Sequence, residues 1–235
     1  MTRIRVATYN VHSGVGVDRR FRPERIAAVI DELRADVVAL QEVLSPVRGL
    51  DVHAHLREAS GLHLVTMTTM QLAGGTFGNA LLSRWPILDF AEHGLTVGRR
   101  EPRGAIDATI GRDTRELRVI ATHLGLRGAE RSEQLSRLIE IVKAAPDMPT
   151  VLAGDFNMTR GRARELRAHV AHLGKHDALA TFPSIAPMLP LDRIFAVHGA
   201  SIVDVAVHRS RLARVASDHL PLVATVELPD GGTSR

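Results

Sequence analysis

One pattern occurs twice in this chain, and it restricts the architecture more than any single motif does. In the first unit Ile4-Arg5-Val6-Ala7-Thr8-Tyr9-Asn10 alternates as a strand and stops on a polar residue. A glycine-containing loop, Ser13 to Arg22, follows, and Pro23 stands where a first helical turn accepts it. Ile26, Val29, Ile30 and Leu33 have the spacing of an amphipathic helix. Val37 to Val43 then reads as a buried strand closing on the carboxylate of Glu42. In the second unit Leu117 to His123 is the strand, and Leu135, Leu138, Ile139 and Val142 mark the helix. Pro146 and Pro149 end that helix, and a second buried strand runs to Asp155. Packed alike, the two units bring Asn10, Glu42, His123 and Asp155 to one edge. Polar clusters at strand ends are where α/β sheets place their sites.

The rest of the chain is less periodic. His53 to Ser60 reads as a short helix. Leu62 to Met70, Ala80 to Ser83, Ile87 to Glu92 and Ala105 to Ile110 read as an antiparallel run, with Gly74-Gly75 and Arg84-Trp85-Pro86 as turns. Arg162 to Leu173 suits a helix. Leu191 to Val197, Ser201 to Val207 and Leu222 to Leu228 suit strands. No linker divides the chain, so residues 1–229 are expected to form one domain and 230–235 a loose polar tail.

Composition narrows the chemistry. With no cysteine, disulfides and thiolate metal sites are excluded, and any metal must be held by oxygen or imidazole. No segment approaches the ~18 apolar residues of a membrane span, and the N-terminus lacks an apolar signal core. A soluble, cytoplasmic monomer is expected. The net charge of +4 suits a polyanionic partner such as nucleic acid, and it equally suits a solvated surface. Aromatics, at 3%, are too few for an extended stacking platform.

Val151-Leu152-Ala153-Gly154-Asp155-Phe156-Asn157 carries the strongest single chemical signal. Residues two apart on a strand share a face. Asp155 and Asn157 are therefore expected to project together, where a hard metal ion or a phosphoryl oxygen would meet both. A strand ending in an ordinary turn accounts for the same residues. The other candidates also have plain accounts: Asn10 as a turn residue, Glu42 as a salt-bridge partner, His123 as a satisfied histidine, Asp192 as the partner of an arginine, Asp218-His219 as surface. Those separate accounts leave unexplained why a carboxylate, amide or imidazole stands at nearly every strand exit.

Eight stretches identify a family: Thr8-Tyr9-Asn10-Val11-His12, Leu40-Gln41-Glu42-Val43, Gly78-Asn79-Ala80-Leu81-Leu82-Ser83, Glu101-Pro102-Arg103-Gly104-Ala105, Thr122-His123-Leu124, Gly154-Asp155-Phe156-Asn157, Leu191-Asp192-Arg193-Ile194 and Ser217-Asp218-His219-Leu220-Pro221. In this order, spanning nearly the whole chain, they resemble the endonuclease/exonuclease/phosphatase superfamily, the deoxyribonuclease-like metal-dependent phosphohydrolases. The resemblance implies an α/β (α+β) fold, a four-layer αββα sandwich with two mixed sheets face to face and helices outside. It implies that Asn10 and Glu42 form the primary divalent-metal site and that Asp218 is a further ligand. Asp155 and Asn157 would position the attacking water and steady the pentacovalent phosphate. His219 would be the catalytic histidine, oriented by Asp192, and His123 a donor to a phosphate oxygen. Asn79 and Arg103 would contact substrate, Arg103 being read equally as a phosphate clamp or a structural arginine.

The chemistry of the residues agrees. A phosphodiester is anionic, so its site must neutralise charge and raise a nucleophile, and Mg²⁺ or Mn²⁺ on hard oxygens does both. A histidine fixed by a carboxylate can move protons near neutrality. The resemblance leaves the substrate open among DNA, RNA, phosphoinositides, sphingomyelin and small diesters. A Mg²⁺-dependent phosphodiesterase is expected. Nuclease activity is placed ahead of action on a lipid headgroup or small phosphoester, and a non-catalytic module last. The loop Ser13 to Arg22, with Asp18, Arg19, Arg20 and Arg22, is expected to border the site and grip a phosphate-rich substrate, and it reads equally as a solvated loop.

Overall fold

Two strand–helix–strand units form, as the alternation dictates. In the first, β1 (Thr2–Asn10) runs parallel to β2 (Val37–Ser45), and α1 (Pro23–Leu33) makes the crossover that a parallel pair requires. In the second, β7 (Arg115–His123) runs parallel to β8 (Thr150–Asp155) through α3 (Gly128–Lys143). This is a computed structural model, and it describes residues 2–47, 49–112, 115–158 and 178–229. The helix expected over Arg162 to Leu173 and the tail 230–235 lie outside the described residues.

The remaining elements complete two sheets. They are α2 (Val52–Ser60), β3 (His63–Leu72), β4 (Gly75–Ser83), β5 (Ile87–Gly94), β6 (Gly104–Arg112), β9 (Asp192–Val197), β10 (Ser201–Val207), α4 (Ala213–Ala216) and β11 (Leu222–Leu228). One sheet has the order β10-β11-β1-β2-β4-β3 and the other β5-β6-β7-β8-β9. Apart from the two parallel pairs, the described neighbours are antiparallel.

Strand parity builds the layers. Ile4 and Val6 of β1, Val37 and Ala39 of β2 and Leu81 of β4 meet Ile106, Ala108, Val119, Ala121, Val151 and Ala153 in a core between the sheets. The alternate residues Ala7, Tyr9, Val38 and Leu40 face Ile26, Val29, Ile30 and Leu33 of α1. On the far side, Ile120, Leu152 and Phe195 pack on Leu135, Leu138 and Val142 of α3. Helix, sheet, sheet, helix is the expected four-layer sandwich. Arg118 of β7 lies beneath α3, forks onto Asp107 at 2.8 and 2.6 Å, and donates to the Ile141 and Val142 carbonyls at 2.7 and 3.1 Å. It thereby ties the helix's last turn to the sheet.

The structure revises three local expectations. Gly78 and Asn79 lie within a longer β4, because the main chain from Gly75 pairs continuously with β2 and β3. β2 does not close on Glu42: it continues to Ser45 through a bulge between Leu40 and Val43, with Glu42 at φ 59°. Asn157 is not on the strand. β8 stops at Asp155, and Asn157 adopts φ 51° in a turn whose N–H donates to Asp155 Oδ1 at 2.9 Å.

Candidate functional site

Parity aims the polar strand exits into the seam between the sheets. Asn10 shares a face with Ile4 and Val6, and Asp155 shares one with Val151 and Ala153, so both extend the inter-sheet core at its polar end. Asp155 is the register partner of His123 on one side and Asp192 on the other. Three adjacent strands thus deliver His123, Asp155 and Asp192 side by side. Gly154 makes this register possible: a Cβ there would stand 2.0 Å from the Thr122 carbonyl oxygen.

Glu42 arrives by another route. Regular alternation would carry it to the helix-facing side with Val38 and Leu40. The bulge and the left-handed backbone turn it back into the seam, as bulges beside functional sites do. There Asn10 Nδ2 donates to Glu42 Oε1 at 2.9 Å and to Asp155 Oδ2 at 3.1 Å, joining the two sheets. Asn10 Oδ1 accepts the His12 N–H at 3.0 Å and keeps a second lone pair.

His219 lies on the loop before β11. Ser217 Oγ fastens that loop to β1 by donating to the Asn10 carbonyl at 2.7 Å. The His219 ring donates through Nδ1 to Asp192 Oδ2 at 2.9 Å, and its Nε2 stands 3.7 Å from Asp155 Oδ2. Thr181 donates to the same Asp192 oxygen at 2.5 Å, and the Phe182 ring lies 4.9 Å from the imidazole. Burial alone would lower the His219 pKa. The charges of Asp192, Asp155 and Asp218 and the hydrogen bond to Asp192 outweigh it and raise the pKa to about 10. In the metal-free protein His219 is an imidazolium.

His123 has the opposite character. Burial lowers its pKa to about 3, assisted by Arg103 and His219 and opposed by Asp155. Arg103 Nη1 lies 3.2 Å from His123 Nδ1. A guanidinium only donates, so Nδ1 is the acceptor and the neutral ring carries its proton on Nε2. That Nε2–H faces Asp155 Oδ2 at 3.6 Å. The Asn157 amide nitrogen, 3.1 Å from Nε2, is then a close neighbour and not a donor to it; its hydrogen bond goes to the Leu124 carbonyl at 2.9 Å. The two histidines therefore differ in kind, one held charged and one held neutral.

Glu42 shows what the pocket suits. Burial raises its carboxyl above the usual range; the Asn10 hydrogen bond opposes that, and the charges of Asp155 and Asp218 add to it. Carboxylates crowded this way, with an amide oxygen and no thiolate, suit a hard divalent cation, which would relieve their repulsion. Asp155, Asp192 and His219 also place one ligand atom each within 4.8 Å of the others. Asp192 Oδ2 is already committed to His219 and Thr181, and His219 Nδ1 is committed to Asp192. The Glu42 side of the pocket therefore fits a metal better.

Asn10, Glu42, His123, Asp155, Asn157, Asp192 and His219 are joined by direct contacts. Asp218 is linked through His12, whose Nδ1 is 3.8 Å from its Oδ1. Arg103 is 6% exposed, behind His123 and 3.0 Å from Glu101 Oε1. Asn79 is buried and donates to the Gly104 carbonyl at 3.1 Å, bridging β4 and β6. The Ser13 to Arg22 loop folds back on α1 and α4: Val17 N–H donates to the Val215 carbonyl at 3.2 Å, and Asp18 pairs with Arg25 at 2.9 Å. Sequence reasoning missed Thr181, Phe182, Glu101 and Ser217. Thr181 and Phe182 lie in an aperiodic stretch and carry no signal. Glu101 and Ser217 stand inside recognised motifs and were legible in principle.

Comparison with known proteins is consistent along the chain. Residues 7–219 match the model of the Endonuclease/Exonuclease/phosphatase family. The uncharacterized protein YbhP of Escherichia coli K12 is 32% identical over 244 aligned positions, covering 95% of this chain and 96% of that protein. The endonuclease/exonuclease/phosphatase structure from Beutenbergia cavernae DSM 12333 superposes with a TM-score of 0.81 at 25% identity, over 99% of this chain and 73% of that one. D. rerio TDP2 complexed with a single-strand DNA product superposes at 0.75 and 18% identity, over 97% of this chain and 100% of that one, a likeness of fold alone.

Proposed function

The chain belongs to the endonuclease/exonuclease/phosphatase family and is a phosphoester hydrolase, and from that premise we propose that it is a Mg²⁺- or Mn²⁺-dependent phosphodiesterase with nucleic acid as its first candidate substrate. The observation that carries this reading is the convergence of Glu42, Asp155 and the Asp192–His219 pair at one end of the inter-sheet seam, bridged by Asn10.

In this proposal Glu42, Asp218 and the amide oxygen of Asn10 would hold the cation. A bound divalent ion supplies Lewis acidity and charge neutralisation at the phosphoryl group. Asp155 is fixed by two donors, Asn10 Nδ2 and the Asn157 N–H. It is a pre-aimed acceptor that orients a water for attack. His219, charged and locked by Asp192, donates toward the developing negative charge and can release its proton. Neutral His123 offers Nε2–H to a phosphate oxygen without adding charge. Donors set in advance of the reaction are worth roughly 3 kcal/mol each.

Asp155→Ala and His219→Ala are each expected to abolish metal-dependent hydrolysis of bis-p-nitrophenyl phosphate while circular dichroism stays unchanged. Full activity in either variant would refute the assigned roles. Substrate class is separated by salt. A nuclease gripping several phosphates loses affinity steeply as salt rises, whereas an enzyme for small diesters responds weakly.

A further inference from the structure

Resting on the phosphodiesterase reading, we propose that the cleft between the β5–β6 loop and the start of α3 binds a neighbouring phosphate of a nucleic-acid strand, next to the one being cleaved. The cleft holds about 300 Å³ and is lined by Arg99, Arg100, Glu101, Arg103, Arg127 and Glu130, with Gly125 and Leu126. That volume, at the small end of ligand pockets, suits one phosphorylated sugar.

Charge decides what enters. Four guanidinium groups meet two carboxylates. Glu101 is 3.0 Å from Arg103, and buried Glu130 is 3.9 Å from Arg100. Among the described residues Arg99 and Arg127 have no acidic partner, and both are exposed. Two uncompensated guanidinium groups flanking a cleft are a bidentate phosphate clamp in waiting. The Gly128, Ala129 and Glu130 amides, which open α3, have no acceptor among the described residues, so the helix dipole reinforces the same sign.

The cleft is joined to the reaction centre through Arg103. Arg103 lines it and donates to His123, and Gly125-Leu126-Arg127 is the chain leaving His123. In this proposal a strand whose scissile phosphate lies against His123 places a flanking phosphate in the cleft, between Arg99 and Arg127. Lipid is disfavoured because Leu126, 68% exposed, is the only apolar side chain lining the cleft among the described residues.

The test compares substrates differing by one phosphate. Wild type and the Arg99→Ala/Arg127→Ala double variant are assayed on bis-p-nitrophenyl phosphate, on dinucleotides with and without a terminal phosphate at either end, on a single-stranded oligonucleotide at several salt concentrations, and on vesicles of anionic phospholipid. The terminal phosphate is expected to lower KM about tenfold in wild type at one end and to give no gain in the variant. The salt slope on the oligonucleotide is expected to fall by about 1.4, two contacts at ~0.7 each. Turnover of bis-p-nitrophenyl phosphate stays unchanged. An equal loss on every substrate, no loss on any, or a loss confined to vesicles of anionic phospholipid would overturn the subsite. Absence of metal-dependent turnover of bis-p-nitrophenyl phosphate in wild type would instead overturn the phosphodiesterase reading itself.

Discussion

Asp192→Asn isolates the orienting carboxylate. Asp192 is fully buried behind His219, so it reaches a substrate only through the imidazole. Asparagine preserves its shape and can still accept from Thr181. It removes the charge that, with the 2.9 Å hydrogen bond, does most to hold His219 as an imidazolium. An amide can also present its NH₂ to Nδ1, which selects the wrong tautomer. Disrupting an oriented acid–base histidine this way is worth about 10²–10⁴ in kcat, or ~3–5 kcal/mol of transition-state stabilisation. KM should change little. The sign with pH follows from the raised value. Charged His219 stabilises the wild-type fold fully below its unfolded pKa of about 6.5, and that contribution is lost as pH rises toward about 10. Asp192→Asn should lose this dependence, because its His219 titrates lower. The assays are steady-state hydrolysis of bis-p-nitrophenyl phosphate with Mg²⁺ and an NMR titration of His219 in the metal-free protein. A variant keeping more than about a tenth of wild-type kcat, or an unmoved titration, would refute the argument.

Two further outcomes follow from the strained and the buried groups. Glu42→Gly relieves a left-handed backbone and the carboxylate crowding. It should stabilise the metal-free protein by roughly 0.5–1 kcal/mol after glycine's own entropic cost, while Mg²⁺ should no longer raise its Tm. Thermal melts in EDTA and in Mg²⁺ check both, and a lower melt in EDTA would contradict the strain. Asp107→Leu leaves the Arg118 guanidinium, 7% exposed, without its carboxylate and should cost about 3–5 kcal/mol, whereas adding Arg118→Met should recover part of that. Urea denaturation of both single variants and the double closes the cycle, and a double variant as unstable as the sum of the singles would show that the pair is not coupled.

The layers were legible because period-two and period-3.6 patterns report which side of an element is covered. Val151 and Ala153 against Leu152 is enough to place β8 between two layers. The site was legible as a list, since Asn10, His123 and Asp155 end their strands. Its geometry was not. Glu42 reaches the pocket through a bulge, and nothing in Leu-Gln-Glu-Val announces a left-handed residue. Asn157 reaches His123 through a turn and not through strand parity. The role of Arg103 depended on what lay behind it, and only the fold shows that it meets Nδ1 of His123.

The seam between the sheets has a consequence beyond holding them together. Much of its facing surface is alanine, at 39, 108, 121, 153 and 224, each at most 1% exposed. One sheet contributes Asn10 and Glu42, and the other Asp155, Asp192 and His123. Methyl groups that never touch a phosphate therefore act as shims. They set how far Asp155 stands from Asn10 and Glu42, and so the length of the hydrogen bond by which the two sheets share the pocket. A single added methylene at Ala153 would be registered first in the 3.1 Å contact between Asn10 and Asp155, at the polar end of the seam.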